Sequence, residues 1–242
     1  GRRAFERFPR ETTFLEMASV GDYNLQEFDK VLEICDKVLE VAPNDSSKTL
    51  RAWSTIGDIW HQKGDSKKSY KAYEKALKIF LEATKGKVHA ILIGDDVGSQ
   101  RGLMISPKLV SEFVIPGAKK LIDIAHSYGV KIVYHSCGSI VDAIPLLIEA
   151  GVDAIHPIQA KAAGMQPDNL KEKFYGKVAF CGGVDTQDLL PFGKPEEVAA
   201  KVKELRTIFP TGLIISPSHE ALQADVPPAN VKALFEEAGK IY

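Results

Sequence analysis

A histidine and a cysteine lie two residues apart in this sequence, and both side chains are able to hold a transition metal. His135 and Cys137 lie in the segment VYHSCGS, and on an extended backbone residues i and i+2 face the same way. An imidazole, a thiolate and a third protein ligand leave one position of a tetrahedral zinc ion open, as in catalytic zinc sites. We expect His219 to supply the third ligand, with Cys181 as its substitute. A buried, hydrogen-bonded histidine beside a small apolar cysteine is the alternative interpretation.

Other polar side chains also follow short apolar runs. In parallel strand-helix folds the loops at the carboxyl ends of the strands converge, so functional groups collect there. His156, which precedes a proline, is expected to be a hydrogen-bonded residue at a strand end. Loop capping is an alternative role for the aspartates of this group. The candidate substrate-binding residues are Asp95, Asp96, Gln159 and Asp185.

Alternating strands and helices are predicted to position these groups. Apolar runs predict strands at residues 88–93, 131–134, 154–158, 178–180 and 213–215, and amphipathic patterns predict helices at residues 107–128, 140–149, 195–208 and 228–241. This alternation is typical of an α/β fold with a parallel sheet.

The strand-helix region is too short for a complete barrel. A (β/α)8 TIM barrel takes about 250 residues, so residues 85–242 predict an incomplete barrel of about five units. Its outer strands, near Ile91 and Ile214, would have unpaired edges. We therefore expect a homo-oligomer or a second chain that covers the open edge.

Residues 1–84 are predicted to form a separate helical domain. Residues 50–80 have the pattern of a helical hairpin, and residues 28–40 suggest the end of a preceding, degenerate unit. The hairpin resembles a tetratricopeptide (TPR) repeat, a type of repeat that binds other proteins, and a generic packing element is the alternative. The residues that carry this resemblance are Trp53, Gly57, Trp60, Tyr73 and Ala76.

Composition excludes several classes of partner. With 31 basic and 32 acidic residues the net charge is -1, which offers no field for nucleic acid. No apolar run reaches the roughly 18 residues of a membrane span, and no secretory signal is visible. Three widely spaced cysteines do not suggest a disulfide framework. These features predict a cytoplasmic protein that binds neither nucleic acid nor membrane.

Five sequence blocks, in order from about residue 83 to the C-terminus, resemble the C-terminal half of the uroporphyrinogen decarboxylase superfamily. That superfamily also contains cobalamin-dependent methyltransferases. The resemblance implies a (β/α)8 barrel, in agreement with the alternation of strands and helices. The blocks are IGDDVGSQRGLMISP, VYHSCGSI, HPIQAKAAGM, FCGGVDTQDLLPFG and SPSHEALQADVPPANV.

The methyltransferase branch implies a zinc enzyme. Its pattern places the first two zinc ligands at His135 and Cys137, and the third, a cysteine in the family, at His219. A neighbouring aspartate is a further candidate ligand. In this branch zinc activates a small acceptor, often a thiol, for attack on methylcobalamin carried by a corrinoid protein. The replacement of cysteine by histidine makes the zinc less electron-rich and leaves the identity of the acceptor open.

Two alternative functions remain. The decarboxylase branch uses no metal and binds porphyrinogens largely through the N-terminal half of the barrel, which has no counterpart in this sequence. A lyase of porphyrin biosynthesis is therefore the second hypothesis. The third is a scaffold without catalysis that uses the helical repeat to bind a protein.

Overall fold

The computed structural model describes residues 20, 22–219 and 221–240. The chain divides into two compact units, one formed by residues 1–89 with 123–130 and the other by residues 90–122 with 131–242. The domain assignment at residue 84 stays a prediction. Among the described residues, no helix is both long and apolar enough to cross a membrane.

Three helices dominate the first unit: α1 (Phe28–Val41), α2 (Ser46–Gln62) and α3 (Ser66–Thr84). The side chains of Asp45 and Asp65 cap α2 and α3 by accepting hydrogen bonds from backbone N–H groups of the first turn, which satisfies donors that a helix start otherwise leaves unpaired. Gly57 lets α2 and α3 approach closely, because a Cβ atom there would lie 2.5 Å from the Tyr73 ring. The helical hairpin is present, while its relation to the TPR repeat stays a prediction.

Five parallel strands form one sheet in the second unit. They are β1 (Ala90–Gly94), β2 (Lys131–His135), β3 (Ala154–Ile158), β4 (Ala179–Val184) and β5 (Leu213–Pro217). The strands lie side by side in chain order, without the reversal of order that marks doubly wound sheets. This arrangement confirms the predicted α/β fold with about five barrel-type units, and β1 and β5 are its outer strands.

The helices of the second unit follow the strands. After β1 the chain forms α4 (Pro107–Leu109), a π-helical turn (Val110–Val114) and α5 (Ile115–Ser127), whose last residues, from 123 onward, belong to the first unit. The remaining helices are α6 (Ile144–Ala150), α7 (Pro167–Phe174), α8 (Leu189–Phe192), α9 (Pro195–Ile208) and α10 (Pro228–Ala238).

Most differences from the predicted helices occur at short elements. The sequence does not predict α7 or α8, because eight and four residues are too few to display a helical period. Helix α6 begins after residue 140 because residues 141–143 form a turn. The predicted end of the last helix, at residue 241, lies outside the described residues.

The two faces of the sheet differ in exposure. On β2, Ile132 and Tyr134 are buried on one face, and burial raises the pKa of the Tyr134 phenol well above its ordinary value. His135 belongs to the opposite face because side chains alternate along a strand. The register places Leu92 and Ile214 of the outer strands on the His135 face, where they are 57% and 55% exposed. This face therefore presents apolar surface at both outer strands.

Candidate metal site

The register of three neighbouring strands aligns the residues that carry the site. Gly94, His135 and His156 are neighbours across β1, β2 and β3. A Cβ atom at Gly94 would lie only 1.9 Å from the backbone oxygen of His135, so a side chain cannot be accommodated at this position without moving β1 away from β2. Glycine here allows the two strands to remain paired up to the residue that bears the imidazole.

Two hydrogen bonds in opposite directions join the loops after β1 and β2. The backbone N–H of Val97 donates to Ser136 Oγ at 3.1 Å, and the backbone N–H of Cys137 donates to Asp96 Oδ1 at 2.7 Å. Ser136 is fully buried, so its hydroxyl is a protected acceptor. The pair of bonds places the Asp96 carboxylate beside the segment that carries His135 and Cys137.

Asp96, His135 and Cys137 form a group whose potential ligand atoms all lie within 4.8 Å of one another. His135 Nε2 is 3.5 Å from Asp96 Oδ1 and 3.6 Å from Cys137 Sγ. The His135 side chain is only 16% exposed, whereas that of Asp96 is 58% exposed. One sulfur, one nitrogen and one oxygen donor fit zinc and leave a fourth position open on the solvent side.

His219 and Cys181, the other two predicted ligands, do not belong to this group. Cys181 lies within β4, where its Sγ atom is 3.5 Å from Ser216 Oγ and burial raises the pKa of its thiol. His219 follows β5, which is separated from β2 by two intervening strands. The structure thus brings together two of the three predicted metal ligands, and Asp96 joins them in place of a third ligand from β4 or β5.

The other predicted substrate-binding residues each follow a strand directly, and two of them bond to loop backbone. Gln159 Oε1 accepts a hydrogen bond from the Gly138 N–H at 2.6 Å, and Asp95 is half-buried beside Asp96. The Asp185 carboxylate accepts three backbone N–H bonds from residues 187–189, and Lys161 Nζ lies 3.6 Å from it. These contacts match the loop-capping alternative for Asp185, and the substrate roles stay predictions.

His156 also belongs to the site, although the sequence predicts only a general role for it. It is 9% exposed, and its Nδ1 atom lies 2.8 Å from His135 Nδ1. The expected hydrogen bond agrees with this contact, but His156 lies in the middle of β3 and not at its end. Its partner is 21 residues away in sequence and becomes visible only through the pairing of β2 with β3.

Comparisons with known proteins agree with the fold. A family model described as uroporphyrinogen decarboxylase matches residues 54–241, beginning inside α2 and including α3 and the whole sheet. The structure of a methyltransferase from Methanosarcina mazei superposes with a TM-score of 0.57 at 19% sequence identity. That match covers 87% of this chain and 63% of the methyltransferase, so the chain spans less than two-thirds of the relative's length. No curated protein matches.

The link between the two loops can be tested through Ser136. We expect Ser136→Ala to lower the free energy of unfolding by about 1–3 kcal/mol, because the buried N–H of Val97 loses its acceptor. Ser127→Ala is the matched control, since the exposed Ser127 hydroxyl donates only to Ile124 O one turn away, and it should change stability by less than about 0.5 kcal/mol. Urea denaturation followed by circular dichroism measures both. Equal effects of the two substitutions would contradict the role of Ser136.

Proposed function

This chain belongs to the uroporphyrinogen decarboxylase family, and from that premise we propose that it binds zinc and transfers a methyl group from a corrinoid carrier to a small acceptor. The observation that carries the proposal is the group formed by Asp96, His135 and Cys137. The fold likeness to a methyltransferase supports the class of reaction.

The charges of the proposed ligands balance those of the metal. A cysteine thiolate, an aspartate carboxylate and a neutral imidazole give two negative charges, which neutralise Zn²⁺. With His219 in place of Asp96 the same site would carry one net positive charge. Asp96 therefore restores the anionic ligand that histidine at the third family position lacks, and His219, after the end of β5, is the alternative candidate for this third position.

Zinc in this site would lower the pKa of an acceptor that occupies its open position. The protein's part is to hold the ligands before the acceptor arrives. The N–H of Cys137 fixes the Asp96 carboxylate, and Gln159 holds the loop after β2 through Gly138.

We propose that Asp95, Gln159 and Asp185 contact the substrate from the same mouth of the sheet. The corrinoid substrate would supply the methyl group: a lone pair of the acceptor would form the new bond to the methyl carbon, and both electrons of the broken cobalt–carbon bond would remain with the corrinoid.

Porphyrinogen decarboxylation is the second candidate. It is favoured by the matching family model, which is described as uroporphyrinogen decarboxylase. It requires no metal, so it makes no use of the thiol and carboxylate that converge on His135.

The scaffold hypothesis rests on the helices of the first unit, for which we propose a protein partner. The cytoplasmic location also stays a prediction.

Zinc content is the first test of the proposed site. The purified chain, incubated with zinc and desalted, should retain about one zinc ion, because three well-placed ligands hold zinc tightly. Mass spectrometry should find none in His135→Ala/Cys137→Ala. Asp96→Ala should weaken zinc affinity more than about tenfold, and more than His219→Ala does. Asp36→Ala, at an exposed position of α1, is the matched control and should leave zinc affinity unchanged. Retention of zinc by the double variant would contradict the site.

Activity distinguishes the two reactions. The zinc-loaded chain mixed with methylcobalamin and a small thiol should yield the methylated thiol, detected by mass spectrometry, together with the loss of methylcobalamin absorbance. His135→Ala should abolish this activity. Loss of carboxyl groups from uroporphyrinogen that persists in His135→Ala would instead support decarboxylation. The absence of both activities in a zinc-loaded chain would contradict an enzymatic role with these substrates.

The exposed apolar face of the sheet supports the proposed assembly. We propose that a second polypeptide, first of all another copy of this chain, covers Leu92 and Ile214 at the outer strands. The double variant Leu92→Lys/Ile214→Lys should then sediment as a monomer, because a charge opposes burial of this face. Phe235→Lys, at an equally exposed site on α10, should leave the oligomer intact. A monomeric wild-type chain in analytical ultracentrifugation would contradict self-association.

A further inference from the structure

The imidazole of His135, at the end of β2, and that of His156, in the middle of β3, form a nitrogen-to-nitrogen hydrogen bond. His135 Nδ1 and His156 Nδ1 are 2.8 Å apart, with ring centroids 5.0 Å apart and planes inclined by 35°. His156 is 9% exposed, so little water reaches its ring. The strand register pairs the two residues directly, which holds their rings side by side.

Only one proton fits between these two nitrogens. In a neutral imidazole one nitrogen carries a hydrogen and the other accepts. If His156 Nδ1 carries the shared proton, His135 Nδ1 must accept it, and the remaining hydrogen of His135 is then on Nε2. If His135 Nδ1 carries it, Nε2 of His135 has a free lone pair. The direction of this one hydrogen bond therefore decides whether His135 Nε2 is a donor or a ligand.

The other side of His135 needs a ligand. Its Nε2 atom faces Asp96 Oδ1 and Cys137 Sγ, the two atoms with which it would share a metal ion. A metal on Nε2 requires the proton on Nδ1, and Nδ1 then needs an acceptor. His156 Nδ1 is at the right distance to accept.

We propose that His156 is a positioning residue that accepts the Nδ1 proton of His135 and so selects the metal-binding tautomer of that ligand. His156 does not join the ligand group, because the group of mutually close donors contains Asp96, His135 and Cys137 and His156 directs Nδ1 at the far side of the His135 ring. This inference rests on the proposed zinc site and adds a residue that acts on the metal through His135.

Zinc affinity of two His156 variants tests the proposal. In competition with a chromophoric chelator, His156→Leu should raise the zinc dissociation constant by roughly 10- to 100-fold, the usual effect of losing an outer partner of a ligand. His156→Asn should bind zinc close to the wild-type value, because its amide oxygen can accept from His135 in the place of Nδ1. The comparison separates loss of the acceptor from loss of the ring.

The outcomes of this experiment are distinct. Wild-type affinity in His156→Leu would overturn the inference and leave the zinc site intact. Equal weakening in His156→Leu and His156→Asn, with native circular dichroism, would also overturn it, since an acceptor would then have no special value. Failure of the wild-type chain to bind zinc would overturn the proposed function itself.

A measurement on the unsubstituted chain covers the case in which the leucine variant does not fold. Nitrogen-15 NMR of the histidine side chains identifies which ring nitrogen carries hydrogen. In the zinc-loaded wild type, His135 should carry its hydrogen on Nδ1 and His156 on Nε2. A hydrogen on His156 Nδ1 in the zinc-loaded chain would contradict the proposal, whatever the behaviour of the variants.

Discussion

The parallel register of β1, β2 and β3 is the constraint on which the site depends. It places Gly94, His135 and His156 in one row, and a shift by one residue would turn each side chain to the opposite face. The absence of a side chain at Gly94 lets β1 remain paired with β2 up to His135. Backbone pairing thus determines that one imidazole has a second imidazole on one side and a loop carboxylate on the other.

The loops convert this row into a group of ligands. Cys137 follows the end of β2 by two residues, its thiol lies 3.6 Å from His135 Nε2, and its own N–H holds the Asp96 carboxylate. The two anionic donors and the neutral imidazole together match the charge of a zinc ion, which limits the cost of placing a divalent cation at a half-buried strand end. His156 contacts the side of the His135 ring that faces away from the other two ligands. The proposed centre thus uses residues of three strands and two loop residues, Asp96 and Cys137.

Local patterns predict the sheet well and the site only in part. All five strands overlap apolar runs, because a buried parallel strand needs a continuous apolar segment. The pair His135 and Cys137 follows from the two-residue period of a strand. The position of Asp96 does not follow from any local pattern, because it depends on a hydrogen bond from a backbone N–H that is 41 residues away in sequence. The position of His219 after a strand makes it a candidate ligand, but position along the chain does not show how far apart two strand ends lie, so its place at the metal stays a prediction.

The most direct test of the account is X-ray absorption at the zinc edge of the zinc-loaded chain. We predict a first shell with one sulfur at about 2.3 Å and nitrogen or oxygen donors at about 2.0–2.1 Å, with the sulfur lost in Cys137→Ser. A shell of oxygen donors without sulfur in the wild-type chain would contradict a site built from Asp96, His135 and Cys137, and with it the proposed chemistry.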